Sequence, residues 1–175
     1  MNFENLSIVD IQVHVRNTKP EPVTENSDWP DIIFRHYKDT DDLGIYFIKV
    51  TPGVLKISDN SLDDLLVSYD HNRKIISIDL DIISSLFHSN MFTVDGLLNA
   101  KFIKPIYDED SDTLKINFVN INPLPTKIQK TTINDIEVEM DTAKKLITIL
   151  FYNASKSIAK PLSEEEINFF AEKVE

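Results

Sequence analysis

The sequence predicts an α+β fold, mainly antiparallel β, in which two pseudo-symmetric small sheet repeats pack together and a helix closes the chain. Three observations predict it: a long internal repeat, a two-residue apolar period inside each copy, and one helical pattern at the C-terminus. Residues 41–79 and 112–150 align without a gap at an offset of 71, with 13 of 39 positions identical, where composition alone gives about two or three. The expected division is 1–88, a first repeat with an N-terminal strand extension, and 89–175, a second repeat with the helix. Three or four strands alone leave an apolar face and two edges in water, so the two copies are expected to form one compact unit.

Each element follows from its pattern. In the N-terminal segment, Ile11 to Val15 alternates as a strand, and Asp31 to Tyr37 is expected to form another after the polar loop that ends at Trp29-Pro30. Leu43, Ile45 and Phe47 match Leu114, Ile116 and Phe118, a strand with one buried face. Pro52 and Pro123 end that strand in both copies, and a short extra strand is expected at Leu55 to Ile57 and Lys127 to Ile128. A hairpin follows. Leu65, Val67 and Tyr69 match Ile136, Val138 and Met140, and Ile76, Ile78 and Leu80 match Ile147, Ile149 and Phe151. Asp70 and Asp141 open the connecting turns, where an Asp side chain accepts bonds from the backbone ahead of it. Residues 81–92 suit a helical turn or two, and Asp95-Gly96 suits a tight turn. The closing helix carries a capping box, Ser163 with Glu166, a staple of Leu162 on Ile167, and an apolar face of Ile167, Phe170, Ala171 and Val174.

The second copy then resembles a known pattern. Tyr107, Asp108, Asp112, Leu114, Asp141, Asn153, Ala154 and Ser155 fit a widespread bacterial domain-of-unknown-function family, here as a tandem, duplicated copy. Lys38, Ser77 and Thr148 depart from that pattern, and the first copy lacks the Asn-Ala-Ser. The resemblance implies a small antiparallel sheet with a helix and no established activity. An immunity or antitoxin role comes with it only by association.

Charge and composition narrow the function classes. A net charge of −11, from 29 acidic and 18 basic residues spread along the chain, disfavours a phosphate backbone as partner. The absence of cysteine excludes disulfides and thiolate metal sites and suits a reducing cytoplasm. No signal-peptide pattern or spanning run is expected, so membrane is not a predicted partner. Asp108, Asp110 and Asp112 open like a calcium loop, but Thr113 and Val119 stand where such a loop needs Gly and Glu. His14, His36, His71 and His88 form no zinc-binding spacing, and three glycines cannot build a phosphate cradle. No catalytic, metal or cofactor residues are therefore assigned. Glu137 with Glu139 and Asp79 with Asp81 are read as the wet faces of strands.

The expected function is that of a stoichiometric protein-binding protein, an immunity protein or antitoxin neutralising a small basic toxin of nuclease type. Asp39, Asp41, Asp42, Asp108, Glu109, Asp110 and Asp112, in the two acidic turns, are the candidate contacts. A structural or regulatory module that self-associates through sheet edges is the alternative, and a carboxylate-dependent hydrolase the third reading. The sequence does not define an oligomeric state.

Overall fold

The structure, a computed structural model, describes residues 8–18, 29–47, 57–62 (as backbone), 65–118 and 125–160, together with Glu165 and Asn168. Twelve strands occur among them: β1 (Ile8–Val13), β2 (Arg16–Asn17), β3 (Ile32–Tyr37), β4 (Asp42–Tyr46), β5 (Ile57–Leu62), β6 (Leu65–Tyr69), β7 (Ile75–Leu80), β8 (Ile103–Asp108), β9 (Thr113–Phe118), β10 (Thr126–Lys130), β11 (Ile136–Asp141) and β12 (Leu146–Phe151). Two one-turn helices, α1 (Ile83–Leu86) and α2 (Ala154–Ser157), follow β7 and β12. The strands form two six-stranded sheets, ordered β1-β3-β4-β7-β6-β5 and β2-β8-β9-β12-β11-β10. Every pairing is antiparallel except β2 with β8.

The elements recur at the spacing of the sequence repeat. β3, β4, β6, β7 and α1 each begin 71 residues before β8, β9, β11, β12 and α2. Local chemistry recurs with them. Asp70 Oδ1 accepts from the amides of Asn72 and Lys74, and Asp141 Oδ1 from those of Ala143 and Lys145, so both hairpin turns close as expected from an Asp at their start.

The core lies between the sheets. Phe34 of β3 meets Phe118 edge-on with ring centroids 6.3 Å apart, and Phe47 meets Phe151 in the same manner at 5.3 Å. Phe87, just after α1, packs on Phe118 at 4.7 Å. Leu43, Ile45, Leu114 and Ile116 are fully buried with them in one cluster, as their alternation predicts. Backbone bonds add to this packing: the Ala159 amide donates to Ile75 O at 2.8 Å, joining the end of the second half to β7.

Three expectations are corrected. β1 starts at Ile8 and ends at Val13, so His14 and Val15 lie beyond it, and the chain then crosses to the other sheet as β2. Ile76 and Ile147 are buried, but they do not lead the face of their strands that enters the core cluster. β6 pairs Ser68 with Ser77 but Tyr69 with Ile75, and β11 pairs Glu139 with Thr148 but Met140 with Leu146. Each skipped residue is a β-bulge, which shifts the alternation by one and places Ile75 and Leu146 in the core cluster instead. The extra strands are longer than read, reaching Leu62 and Lys130. Pro52, Pro123, Leu55 and the capping box and apolar face of the C-terminal helix lie outside the described residues; Glu165 and Asn168 are both helical. Among the described residues no helix is long and apolar enough to cross a membrane.

Candidate functional site

The two-residue strand β2 lies against β8 with Arg16 opposite Ile106 and Asn17 opposite Tyr107, and the Thr18 amide donates to Tyr107 O at 3.2 Å. Successive strand residues turn to opposite faces, so this short ribbon presents different chemistry on its two sides. On the Tyr107 side, Trp29 stacks at a tilt of 52° with ring centroids 4.9 Å apart. The two rings, with Asn17, Glu109, Ser155 and Lys160, line a cleft of about 320 Å³.

Asp112 fixes the floor of this cleft. Its backbone has φ 50°, which aims the carboxylate back at the chain that follows β12. Tyr107 Oη donates to Oδ1 at 2.6 Å, the Ser155 amide to Oδ1 at 2.9 Å and the Ser155 hydroxyl to Oδ2 at 2.7 Å. Burial alone would raise the Asp112 pKa; the bonds from Tyr107 and Ser155 outweigh it and hold the carboxyl below its usual value. The Tyr107 phenol is pushed up to about 12, first by burial and then by Asp112. Asp112 is therefore a charged structural anchor and Tyr107 a neutral donor at neutral pH.

The acidic-turn residues fall into two groups. Asp108, Glu109, Asp110 and Asp112 occupy one turn beside the cleft. Asp108 is held below its usual pKa chiefly by the Ser111 hydroxyl at 2.8 Å, and Glu109 and Asp110 are exposed. Asp39 is exposed on the other turn and Asp42 half-buried at the start of β4. Asp41 bonds the Ser84 amide at 3.1 Å and the Ser84 hydroxyl at 2.5 Å, so it repeats the role of Asp112. Asp41 and Asp112 are thus engaged within the fold.

The first half closes the place where the second half has its cleft. His36 stands where Tyr107 stands, is 2 % exposed, and has Phe92 at 6.3 Å and the Leu98 amide donating to its Nδ1 at 3.3 Å. Burial lowers its pKa, which keeps the ring neutral and able to accept that bond. The segment carrying Phe92 and Leu98 covers one half, and Trp29 approaches the other.

The remaining titratable groups sit elsewhere. His14 Nδ1 contacts Asp31 Oδ1 at 2.5 Å, His71 is exposed in its turn, and His88 Nε2 bonds the buried carboxylate of Asp141. Glu137 accepts from Tyr152 Oη at 2.8 Å and Glu139 from the Thr126 hydroxyl. Asp79 is raised above its usual pKa by burial and then by the charges of Asp81 and Asp42. Among the described residues no three of His, Asp and Glu are arranged to hold a metal ion.

Trp29, Asn17 and Lys160 escaped the sequence reading. The one available signal was that the chain's single tryptophan stands at the end of a polar stretch, where an aromatic side chain has no local partner. No family model, curated protein or solved structure matches this chain. The site is therefore interpreted from its own chemistry: two aromatic faces beside a carboxylate suit a cationic side chain, and the adjoining acidic turn suits a basic surface.

Proposed function

We propose that the chain is a stoichiometric protein-binding protein of the immunity-protein or antitoxin kind, neutralising a small basic toxin of nuclease type. Its contact face is the Trp29–Tyr107 cleft with the turn from Asp108 to Asp112. One observation carries this reading: the two stacked rings share their cleft with Glu109 and border the acidic turn. Aromatic anchors beside charge are the usual energetic centre of a protein interface, and a lysine or arginine over such rings contributes about 0.5–2 kcal/mol. Exposed Glu109 and Asp110, with half-buried Asp108 behind them, would speed encounter with a cationic partner. Asp39 and Asp42 lie on the other turn and are candidate contacts in their own right.

The face is read as part of a duplicated unit with halves 1–88 and 89–175, a tandem copy of the small bacterial domain the sequence resembles. Reciprocal contacts support it. Lys74 Nζ donates to Lys156 O, and Lys145 Nζ donates to Ser85 O at 2.7 Å, each pair displaced from the other by the repeat. Such an exchange is the contact a twofold relationship generates. The resemblance gains support from Tyr107, Asp112, Ala154 and Ser155, which are joined through hydrogen bonds to Asp112. Self-association through a sheet edge is the competing reading, favoured by Ile128 at 53 % exposure on the edge strand β10. Lys127 and Lys130 flank it, as charges that discourage edge pairing do.

Trp29 is the only tryptophan and so reports on the cleft directly. Titrating the chain with small basic proteins encoded beside it is expected to shift Trp29 fluorescence to saturation at one-to-one stoichiometry with one of them. Glu109→Lys should weaken that complex about tenfold or more. Absence of any saturable shift, together with failure to protect cells expressing those proteins, would remove the reading.

A further inference from the structure

The outer faces of the two sheets can be compared position by position, because their strands share the repeat. In the second sheet, Ile106, Lys115, Leu150 and Glu137 lie side by side across β8, β9, β12 and β11, and Lys104, Asn117, Thr148 and Glu139 form the next row. Lys104, Lys115, Glu137 and Glu139 thus surround Ile106 and Leu150 with charge, as a solvated face requires. In the first sheet the rows at the same offset of 71 are Arg35, Gly44, Asp79 and Leu66, then Ile33, Tyr46, Ser77 and Ser68. The pattern is inverted. Each of the charged positions has lost its charge, and the two apolar ones hold Arg35 and Asp79. Ile33, Tyr46 and Leu66 are half-buried but stand outside the core cluster, so their apolar surface is not used between the sheets.

Arg35 and Asp79 do not neutralise each other. Gly44 separates them in the row, and the Tyr46 ring lies over it so closely that a Cβ there would meet the ring at 2.6 Å. Arg35 rests on this ring, 5.4 Å from its centroid, and bonds Asp10 at 2.7 and 3.0 Å. Asp79 is half-buried, and among the described residues it has neither an ion pair nor a hydrogen bond, only the like charges of Asp81 and Asp42 beside it. Ionised, it weakens the fold, while buried Leu150 shows that an apolar residue fits the equivalent place. A residue that lowers stability where an apolar one fits is characteristic of a binding position. With Arg35 already matched by Asp10, the acids Asp42, Asp79 and Asp81 set the sign of what the face attracts.

We propose that the outer face of the first sheet docks a cationic amphipathic helix of a partner protein. A lysine or arginine of that helix pairs with Asp79 beside Tyr46, and its apolar residues cover Ile33 and Leu66. A helix is the element that covers the face of a sheet without pairing along its edge. This surface uses none of the residues of the Trp29–Tyr107 cleft, so neither depends on the other.

The test uses the full chain and a fluorescein-labelled peptide of leucine and lysine at helical spacing, followed by fluorescence anisotropy at about 0.15 M salt. Saturable one-to-one binding is expected, and the same peptide with glutamate in place of lysine should not bind. Asp79→Asn should lose about tenfold in affinity while its Tm rises. Ile33→Lys/Leu66→Glu, which carries the residues of the second sheet and leaves the net charge unchanged, should lose as much. Asp135→Asn, which removes the same charge between β10 and β11, should change nothing. Circular dichroism checks each fold, and Asp79→Asn decides alone if the double variant is perturbed. Absence of saturable binding, or undiminished binding by folded Asp79→Asn, overturns the proposal. So does sedimentation showing a dimer that Ile33→Lys/Leu66→Glu separates, because a second copy of the chain would then occupy the face.

Discussion

Asp112 binds Ser155 twice, accepting the amide at 2.9 Å on Oδ1 and the hydroxyl at 2.7 Å on Oδ2. The same pair of bonds runs from Ser84 to Asp41 in the first half, where the hydroxyl bond is 2.5 Å. Each Asp also accepts through its own carbonyl, Asp112 from Ala154 and Asp41 from Ile83, both at 2.9 Å. A turn ahead of one strand is thereby tied to the helix that follows another.

This bond set should dominate the response to mutation at Asp112. Glycine accepts the φ of 50° without strain but supplies no carboxylate, so Asp112→Gly isolates the lost bonds. It should lower stability by about 2 kcal/mol in urea unfolding at pH 7, and Asp112→Asn, which keeps one acceptor, by less. The Asp112 carboxyl is depressed, so its contribution is present above the unfolded value near pH 4 and is lost as pH falls through the lower folded value. The gap between wild type and Asp112→Gly should accordingly be flat from neutral pH down to about 4 and shrink below it.

Ile82 and Asn153 occupy equivalent places with the same φ of 52°. Asparagine tolerates that left-handed conformation, whereas a β-branched isoleucine is strained in it. Ile82 is also 52 % exposed, so little burial is lost on replacing it. Ile82→Asn should therefore stabilise the protein by about 1 kcal/mol, read as a rise of about 2–4 °C in Tm. An unchanged or lower Tm would show that Ile82 makes compensating contacts.

Asp79 carries the opposite sign from Asp112. Burial, followed by repulsion from Asp81 and Asp42, raises its folded pKa. For a raised group, stability is fully present below the unfolded pKa and is lost as pH rises through the folded one, so the ionised Asp79 weakens the fold at neutral pH. Asp79→Asn should raise Tm by about 2 °C at pH 7 and leave it unchanged near pH 3, where the wild-type carboxyl is protonated.

His88 and Asp141 form a link with no repeat-related counterpart at Asp70, because Ala159 stands where His88 stands. The Asp141 side chain is 1 % exposed and keeps its backbone bonds from Ala143 and Lys145 when His88 is removed. His88→Ala should cost about 1–2 kcal/mol in urea unfolding at neutral pH, less than loss of the buried carboxylate itself.

The sequence carried the fold where one residue pattern controlled one element. Leu43, Ile45 and Phe47 with their repeat counterparts read correctly because alternation alone decides which face of a strand is dry. Ile76 and Ile147 are buried but stand outside the core cluster, because a bulge inserts a residue without any local signal, Ile being equally suited to either face. Arg16-Asn17 was not legible as a strand, since two polar residues have no period and their partner lies in the other sheet. The candidate site was half legible. The acidic turn was evident, but the cleft requires Trp29 to meet Tyr107 across a long separation in sequence, and Lys160 to return beside them.

The account rests on two sheets sharing one core, with Phe34 and Phe47 on one side and Phe118 and Phe151 on the other. Differential scanning calorimetry of the intact chain and of the Phe47→Ala and Phe118→Ala variants tests this most directly. A single transition is predicted, with calorimetric and van't Hoff enthalpies equal, and each variant should move the whole transition down by an amount matching about 3–5 kcal/mol. Two separate transitions, with Phe118→Ala shifting one and leaving the other in place, would contradict it.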